Sequence, residues 1–161
     1  MYIIDSNCFI QNYRLYNPMD IALSFWTKTT ELVDRKKIYS IDKVKTELVS
    51  GDDELSKWAK ERPPFFFLPI TAVEMNAYAA VVQWASESDY KPHAKDRFMQ
   101  PGYADPFLIA YALSHKDITV VTEEVSARDS KKDIKLPDAC AHFRIRSIHF
   151  MEMLREMKVT Y

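Results

Sequence analysis

Acidic residues recur in this chain at the places where apolar runs end. Asp5 follows the run Tyr2 to Ile4 in "MYIIDSNCFI", Glu123 and Glu124 follow "ITVV", Asp105 stands before Pro106 and the apolar "FLIAYA", and Glu47 lies in "DKVKTELVS" after "IYSI". In open parallel sheets, sites form beyond the carboxyl ends of the strands, where loops from several strands meet. Carboxylates gathered there repel one another unless a cation sits between them. Their hard oxygen ligands suit Mg²⁺ or Mn²⁺, and the chemistry such a centre performs is metal-assisted hydrolysis of phosphodiesters. Each position also has a plainer use. Asp105 before Pro106 suits a helix N-cap. Glu47, three residues after Val44, suits the solvated edge of an amphipathic helix. Asp5 suits an Asx turn, and Glu123 or Glu124 a polar exit from a strand. Asp5 is the least easily explained this way, because the run before it reads as fully buried.

Polar and basic residues flank these positions. Ser6, Asn7 and Thr122 suit hydrogen bonds that hold the carboxylates, or contact with phosphate. "YKPHAKDRF" carries Lys91, His93, Lys95 and Arg97 between Tyr90 and Phe98, and "SARDSKKDIK" carries Arg128, Lys131, Lys132 and Lys135. Lys91, Lys95, Arg97 and Arg128 are candidate phosphate contacts, with the two aromatics available to stack on unpaired bases. Solvated surface is the alternative for both charge runs. His93, His115, His142 and His149 show no metal-ligand spacing, and Cys8 and Cys140 have no nearby partner, which argues against zinc.

The elements that must position these residues alternate between strand and helix. Tyr2 to Ile4, Ile38 to Ile41 and Ile118 to Val121 are predicted parallel strands, with a further candidate in "RIRSI". Helices are predicted from Asn17-Pro18 to about Arg35, in "DKVKTELVS" with Asp42 as cap, over Asp52 to Arg62, from about Thr71 to Ser86, after Asp105, and at His149 to Met157. Phe107, Ile109, Ala110 and Leu113 are expected on the buried face of the Asp105 helix. "ESDYKPHAKDRFMQPGY" reads as loop. The alternation implies an α/β sandwich around a central parallel sheet.

Composition narrows the function classes. The chain of 161 residues fits one domain, 1–161, and 22 basic against 23 acidic residues give no global pull on nucleic acid. Only two glycines, Gly51 and Gly102, argue against a P-loop or a dinucleotide-binding fingerprint. Two cysteines in apolar surroundings suit reduced thiols and a cytoplasmic location. The absence of a leader pattern or a spanning apolar run predicts a soluble, unprocessed protein with no membrane partner.

Taken together, "YIIDSNCFI", "VKTEL", "ADPFLIAYA" and "ITVVTEE" resemble the PIN-domain nucleases, the family of the VapC-type toxins of toxin-antitoxin pairs. The resemblance covers nearly the whole chain, and the tail "IKLPDACAHFRI" with its final helix is similar to an uncharacterised PIN subfamily. It implies a three-layer α/β/α sandwich; the helix-rich middle, residues 52–90, departs from the most compact members and is expected to form a clip over the site or an oligomer surface. It implies a Mg²⁺- or Mn²⁺-dependent endoribonuclease with Asp5, Glu47, Asp105 and Glu124 as the catalytic, metal-holding carboxylates. Glu123 is the alternative at the last position, since both glutamates follow Thr122. RNA, a cognate antitoxin and a second copy of the chain are the implied partners. The competing reading is a non-catalytic PIN-like module that binds nucleic acid or protein.

Overall fold

The computed structural model describes residues 1–161. Five short strands form one all-parallel sheet: β1 (Tyr2–Ile4), β2 (Ile38–Ile41), β3 (Phe67–Leu68), β4 (Thr119–Val121) and β5 (Arg146–Ile148), in the order β3-β2-β1-β4-β5. Nine helices complete the three-layer α/β/α sandwich: α1 (Ser6–Gln11), α2 (Leu23–Asp34), α3 (Asp42–Leu48), α4 (Glu54–Lys60), α5 (Ala72–Glu87), α6 (Pro92–Phe98), α7 (Asp105–Ser114), α8 (Leu136–His142) and α9 (Phe150–Glu156). The first and fourth strands lie side by side and parallel, as expected, with Tyr2 opposite Thr119 and Ile4 opposite Val121. No helix is long and apolar enough to cross a membrane.

The strand order matters for function. From β1 the chain steps outward through β2 to β3, then returns to place β4 and β5 on the other side. Right-handed crossovers therefore carry α1 to α4 over one face and α5 to α8 over the other. The point of reversal falls between β1 and β4, and the two helix sets diverge there to leave a crevice at the strand ends.

The strands are buried because their residues are apolar on both sides: Ile3, Ile4, Ile38, Ile41, Val120 and Val121 are all fully inaccessible. On one face Phe9, Phe25, Trp26, Trp58, Phe66 and Phe150 form a connected aromatic cluster that ties α1, α2, α4 and α9 together. On the other, Tyr78 of α5 stacks on Phe107 of α7 with ring centroids 4.3 Å apart. The helix-rich middle, residues 52–90, supplies α4, the edge strand β3 and α5. Its long helix is well started: Thr71 and Glu74 form a reciprocal capping box. Cys8 and Cys140 are buried free thiols.

Several local expectations need correction. The helix predicted from Asn17-Pro18 begins only at Leu23. Before it, α1 runs into a π-helical turn at Asn12–Tyr16, where Asn12 donates to the Cys8 carbonyl and Asn17 to the Asn12 side chain. The Asn12 side chain thus competes for a helix carbonyl and is itself held by Asn17. Ile21, inside the predicted span, lies before the helix and is exposed. The segment read as loop contains α6, with Pro92 in its first turn and Ala94 and Phe98 buried one turn apart. "LPDACAH", for which no element was predicted, forms α8 in the same manner behind Pro137. Leu113 is 40 % exposed, whereas Phe107, Ile109 and Ala110 are buried as expected, and Leu108 is fully buried instead. The nearly all-apolar α7 has no polar stripe by which spacing alone could orient it.

Candidate active site

The crevice between β1 and β4 is where the acidic residues gather. Asp5 immediately follows β1 and donates its backbone N–H to the Val121 carbonyl at 2.9 Å, which continues the pairing of the two strands. Although Asp5 is the N-cap residue of α1, its side chain makes no capping bond. Its carboxylate instead accepts from the Thr122 hydroxyl at 2.9 Å, and the residue is 1 % exposed. The Asx-turn role is therefore not the one it plays. Asn7 clamps the end of β4: its amide donates to Thr122 Oγ1 at 3.1 Å, and its carbonyl accepts from Glu123 N at 2.9 Å. Ser6 Oγ lies 3.4 Å from Asp5 Oδ1. All three polar neighbours singled out by sequence thus serve the strand ends that present Asp5.

Asp105 enters from the opposite helix layer. Ala104, not Asp105, is the N-cap of α7, so the capping role considered for Asp105 is not realised. Asp105 occupies the first helical position, is buried, and its Oδ2 has no hydrogen-bond partner anywhere in the chain. Glu47, near the end of α3, accepts from the Ala104 N–H at 3.0 Å and thereby fixes the start of α7 beside the β1 end. Glu124 accepts from the Leu136 N–H at 2.7 Å, at the start of α8.

The two glutamates after Thr122 separate cleanly. Glu123 accepts from Phe150 N at 2.9 Å and lies 3.5 Å from His149, so it caps α9. Glu124 faces the acidic crevice, where its charge acts on both Asp5 and Asp105.

The electrostatics show that the four acids share one region. Burial raises the Asp5 carboxyl from 3.8 to about 7, opposed by the Thr122 hydrogen bond and reinforced by the charges of Glu47 and Glu124. Burial also pushes Asp105 well above the carboxylate range, and Asp5, Glu124 and Glu47 each add to the effect. Two buried carboxyls in a field of two more cannot all ionise cheaply without a counter-charge. As the side chains stand, no three acidic, histidine or cysteine groups close around a common point. The reason is visible in the bonding: Glu47 and Glu124 are each drawn to a backbone amide. The unpartnered Asp105 oxygen and the surplus of negative charge are what a divalent cation would satisfy, and the all-oxygen donor set fits Mg²⁺ or Mn²⁺.

The raised pKa of Asp5 has a consequence for stability. A buried carboxyl with a raised value holds its proton more tightly in the folded than in the unfolded chain. The contribution of Asp5 is therefore fully present below 3.8 and is lost as pH rises toward about 7. Asparagine carries no such proton. Without divalent cations, the stability of Asp5→Asn relative to the native chain should increase from pH 4 to 7 by a few kcal/mol and then level off. Melting curves across that range check this, and a constant difference would contradict it.

Two residues that the sequence did not assign to the site join it. Tyr103 places its phenol beside the Asp105 carboxyl, and burial together with Asp105 and Glu124 raises its hydroxyl well above the usual phenol range. Lys135 Nζ stands 4.0 Å from Glu124 and 3.0 Å from Asp133, making it the cation paired with a site carboxylate. Tyr103 lies two residues before Asp105, a closeness in sequence that could have flagged it. Lys135 was one basic residue among several.

The two basic segments lie against each other. Lys91 N donates to the Lys131 carbonyl at 2.9 Å, His93 meets the Lys132 carbonyl at 3.0 Å, and Arg97 lies 3.5 Å from Asp133. Arg97 also covers the Tyr103 ring at 5.8 Å, which links the basic strip to the neighbour of Asp105. Lys91 and Arg128 are exposed, and Lys95 is bonded to the Ser86 carbonyl. Phe98 is 1 % exposed and belongs to the core, so of the two candidate stacking aromatics only Tyr90 reaches the surface. A concavity of about 600 Å³ between α2 and α4 contains none of the four acids.

Fold and crevice together define an α/β sandwich protein with an acidic centre at the topological switch of its parallel sheet. The chain belongs to the family described as "Domain of unknown function (DUF4411)", which matches residues 2–161. No curated protein and no solved structure matches it.

Proposed function

We propose that the protein is a PIN-like, Mg²⁺- or Mn²⁺-dependent endoribonuclease of the cytoplasm and the toxin of a toxin-antitoxin pair, with Asp5, Glu47, Asp105 and Glu124 as the groups that hold the ion. The observation that carries the reading is the buried, unpartnered Asp105 oxygen, set among three further acids at the strand ends. Such an arrangement is costly by itself and useful with a cation.

When bound, the ion acidifies water and offsets negative charge at phosphorus. The chain supplies the rest. Thr122 and Asn7 hold Asp5 and the end of β4 in place. Glu47 and Glu124, anchored at the N-termini of α7 and α8, would hold the ion together with Asp5 and Asp105. Lys135 beside Glu124, with Arg97, Lys91 and Arg128 beyond it, offers positive charge to the phosphates of a strand crossing the crevice. An antitoxin and a second copy of the chain are the protein partners this reading includes.

The competing reading, a non-catalytic module that binds nucleic acid or protein, draws on the glutamates that already satisfy backbone amides. The paired substitutions Glu124→Gln and Glu123→Gln distinguish the roles within the site. Glu124→Gln should lower RNA cleavage by at least about tenfold. Glu123→Gln should leave cleavage intact while weakening the cap of α9, at a cost of about 1 kcal/mol. Equal activity in both variants would remove Glu124 from the reaction. Cleavage of a single-stranded RNA with and without Mn²⁺ is the experiment that tests the reading as a whole.

A further inference from the structure

A further concavity of about 370 Å³ is lined by Trp84, Asp89, Tyr90, Arg128, Lys131, Asp138 and His142 among others. Its volume falls within the range of about 300–1,000 Å³ that small-molecule sites occupy. Its walls combine two features that single-stranded nucleic acid uses, flat aromatic surface and positive charge, the latter beside Asp89 and Asp138. The Trp84 indole stacks on the His142 imidazole, with ring centroids 4.8 Å apart and planes 22° from parallel, and His142 is exposed. Tyr90 meets Trp84 edge-on at 6.3 Å, so the two rings form an L-shaped corner. Lys131 Nζ lies 5.0 Å over the Tyr90 ring and 3.0 Å from Asp89. The Arg128 side chain is 77 % exposed, with its Nε 3.9 Å from Asp138.

The concavity is built into the same turn as the acidic site. Leu136 N, at the start of α8, holds Glu124. Two residues later Asp138 holds the loop that leaves Glu124, accepting from the Ala127 N–H at 2.8 Å and from the Ser126 hydroxyl. That loop delivers Arg128 to the rim.

We propose that the corner formed by Trp84, Tyr90, His142, Arg128 and Lys131 is a nucleotide subsite. It takes one unstacked base and its phosphate from a single-stranded RNA whose neighbouring phosphate lies over the carboxylates. This rests on the reading of RNA as the substrate. Asp138 accepts from Ser126 and Ala127 and so serves the loop first, and the subsite reads chiefly the flat face of a base and the charge of its phosphate. Base-paired RNA is excluded, because its bases cannot leave the stack to reach the corner.

The test uses the full chain in EDTA, so that no strand is cut, with a short fluorescein-labelled single-stranded RNA of mixed sequence and the same sequence as duplex. Binding is followed by anisotropy, and melting curves establish that each variant is folded. Native protein should prefer the single strand. Tyr90→Leu should weaken binding about tenfold, whereas Tyr90→Phe, which keeps the ring, should bind as the native chain does. Arg128→Ala should weaken binding and flatten the dependence of log affinity on log salt concentration by about 0.7. Folded Tyr90→Leu and Arg128→Ala variants with native affinity would overturn the subsite, as would a native chain that binds no RNA or prefers duplex. Separate cleavage with Mn²⁺ keeps the two claims apart. Binding that needs Tyr90 and Arg128 without any cleavage sustains the subsite and defeats the nuclease, whereas cleavage with unchanged variant binding does the reverse.

Discussion

Asp5→Asn should abolish divalent-cation-dependent RNA cleavage, with a fall of at least about two orders of magnitude, and leave the protein folded. The substitution changes little but charge. Asparagine keeps a carbonyl oxygen that can accept the Thr122 hydroxyl now donated to Asp5 at 2.9 Å, and it fits the same buried volume. A structural Asp5 would tolerate it. A ligand would not, because a neutral amide binds Mg²⁺ or Mn²⁺ poorly and the acidic cluster has lost one of its charges. Without metal the variant should melt at a higher temperature than the native chain near neutral pH, since burial, and after it the field of Glu47 and Glu124, no longer acts against a charge at this position. With Mn²⁺ the order should reverse, because only the native site gains the ion's binding energy. Cleavage at the native rate by a folded Asp5→Asn chain would show that the carboxylate does not serve the reaction.

Leu108→Ala should destabilise the fold by about 2–5 kcal/mol and lower the melting temperature by roughly 5–15 °C, with no direct effect on the acidic groups. Leu108 is fully buried in α7, the helix that carries Asp105, and truncation there leaves a void in a close-packed layer. Leu113→Ala on the same helix should cost under about 1 kcal/mol, because its side chain is 40 % exposed. Chemical denaturation of the two variants checks the contrast. Equal losses would mean that α7 is rotated relative to the sheet, and Asp105 with it.

The strands were the most readable part of the chain. Short runs such as Tyr2–Ile4 and Thr119–Val121 are apolar on both sides because both faces of a parallel sheet are covered, and a polar residue marks where each strand ends, although Asp5 and Thr122 are themselves buried. That same abrupt change made Asp5 stand out. The helices were harder wherever capping chemistry interfered with spacing. Asn12 and Asn17 divert the chain into a π-helical turn, and Pro92 and Pro137 open helices although proline also reads as a loop signal. In α7, eight of the ten residues are buried, so no polar side existed from which to infer its orientation. The choice between Glu123 and Glu124 turned on contacts more than twenty residues away in one case and with the next helix in the other. Local sequence holds no trace of either partner. Tyr103 and Lys135 were missed for a similar reason: their importance lies in the burial of Asp105 and the position of Glu124, which only the assembled fold defines.

The most direct test is to titrate Mn²⁺ into protein freed of metal by EDTA and follow the fragments released from a labelled single-stranded RNA. Cleavage should begin from zero, saturate with Mn²⁺, be supported by Mg²⁺, and be lost in Asp105→Asn, whose native oxygen has no partner within the chain. RNA that remains intact in the presence of saturating Mn²⁺ or Mg²⁺, while still binding the folded native protein, would contradict the nuclease and leave a binding module in its place.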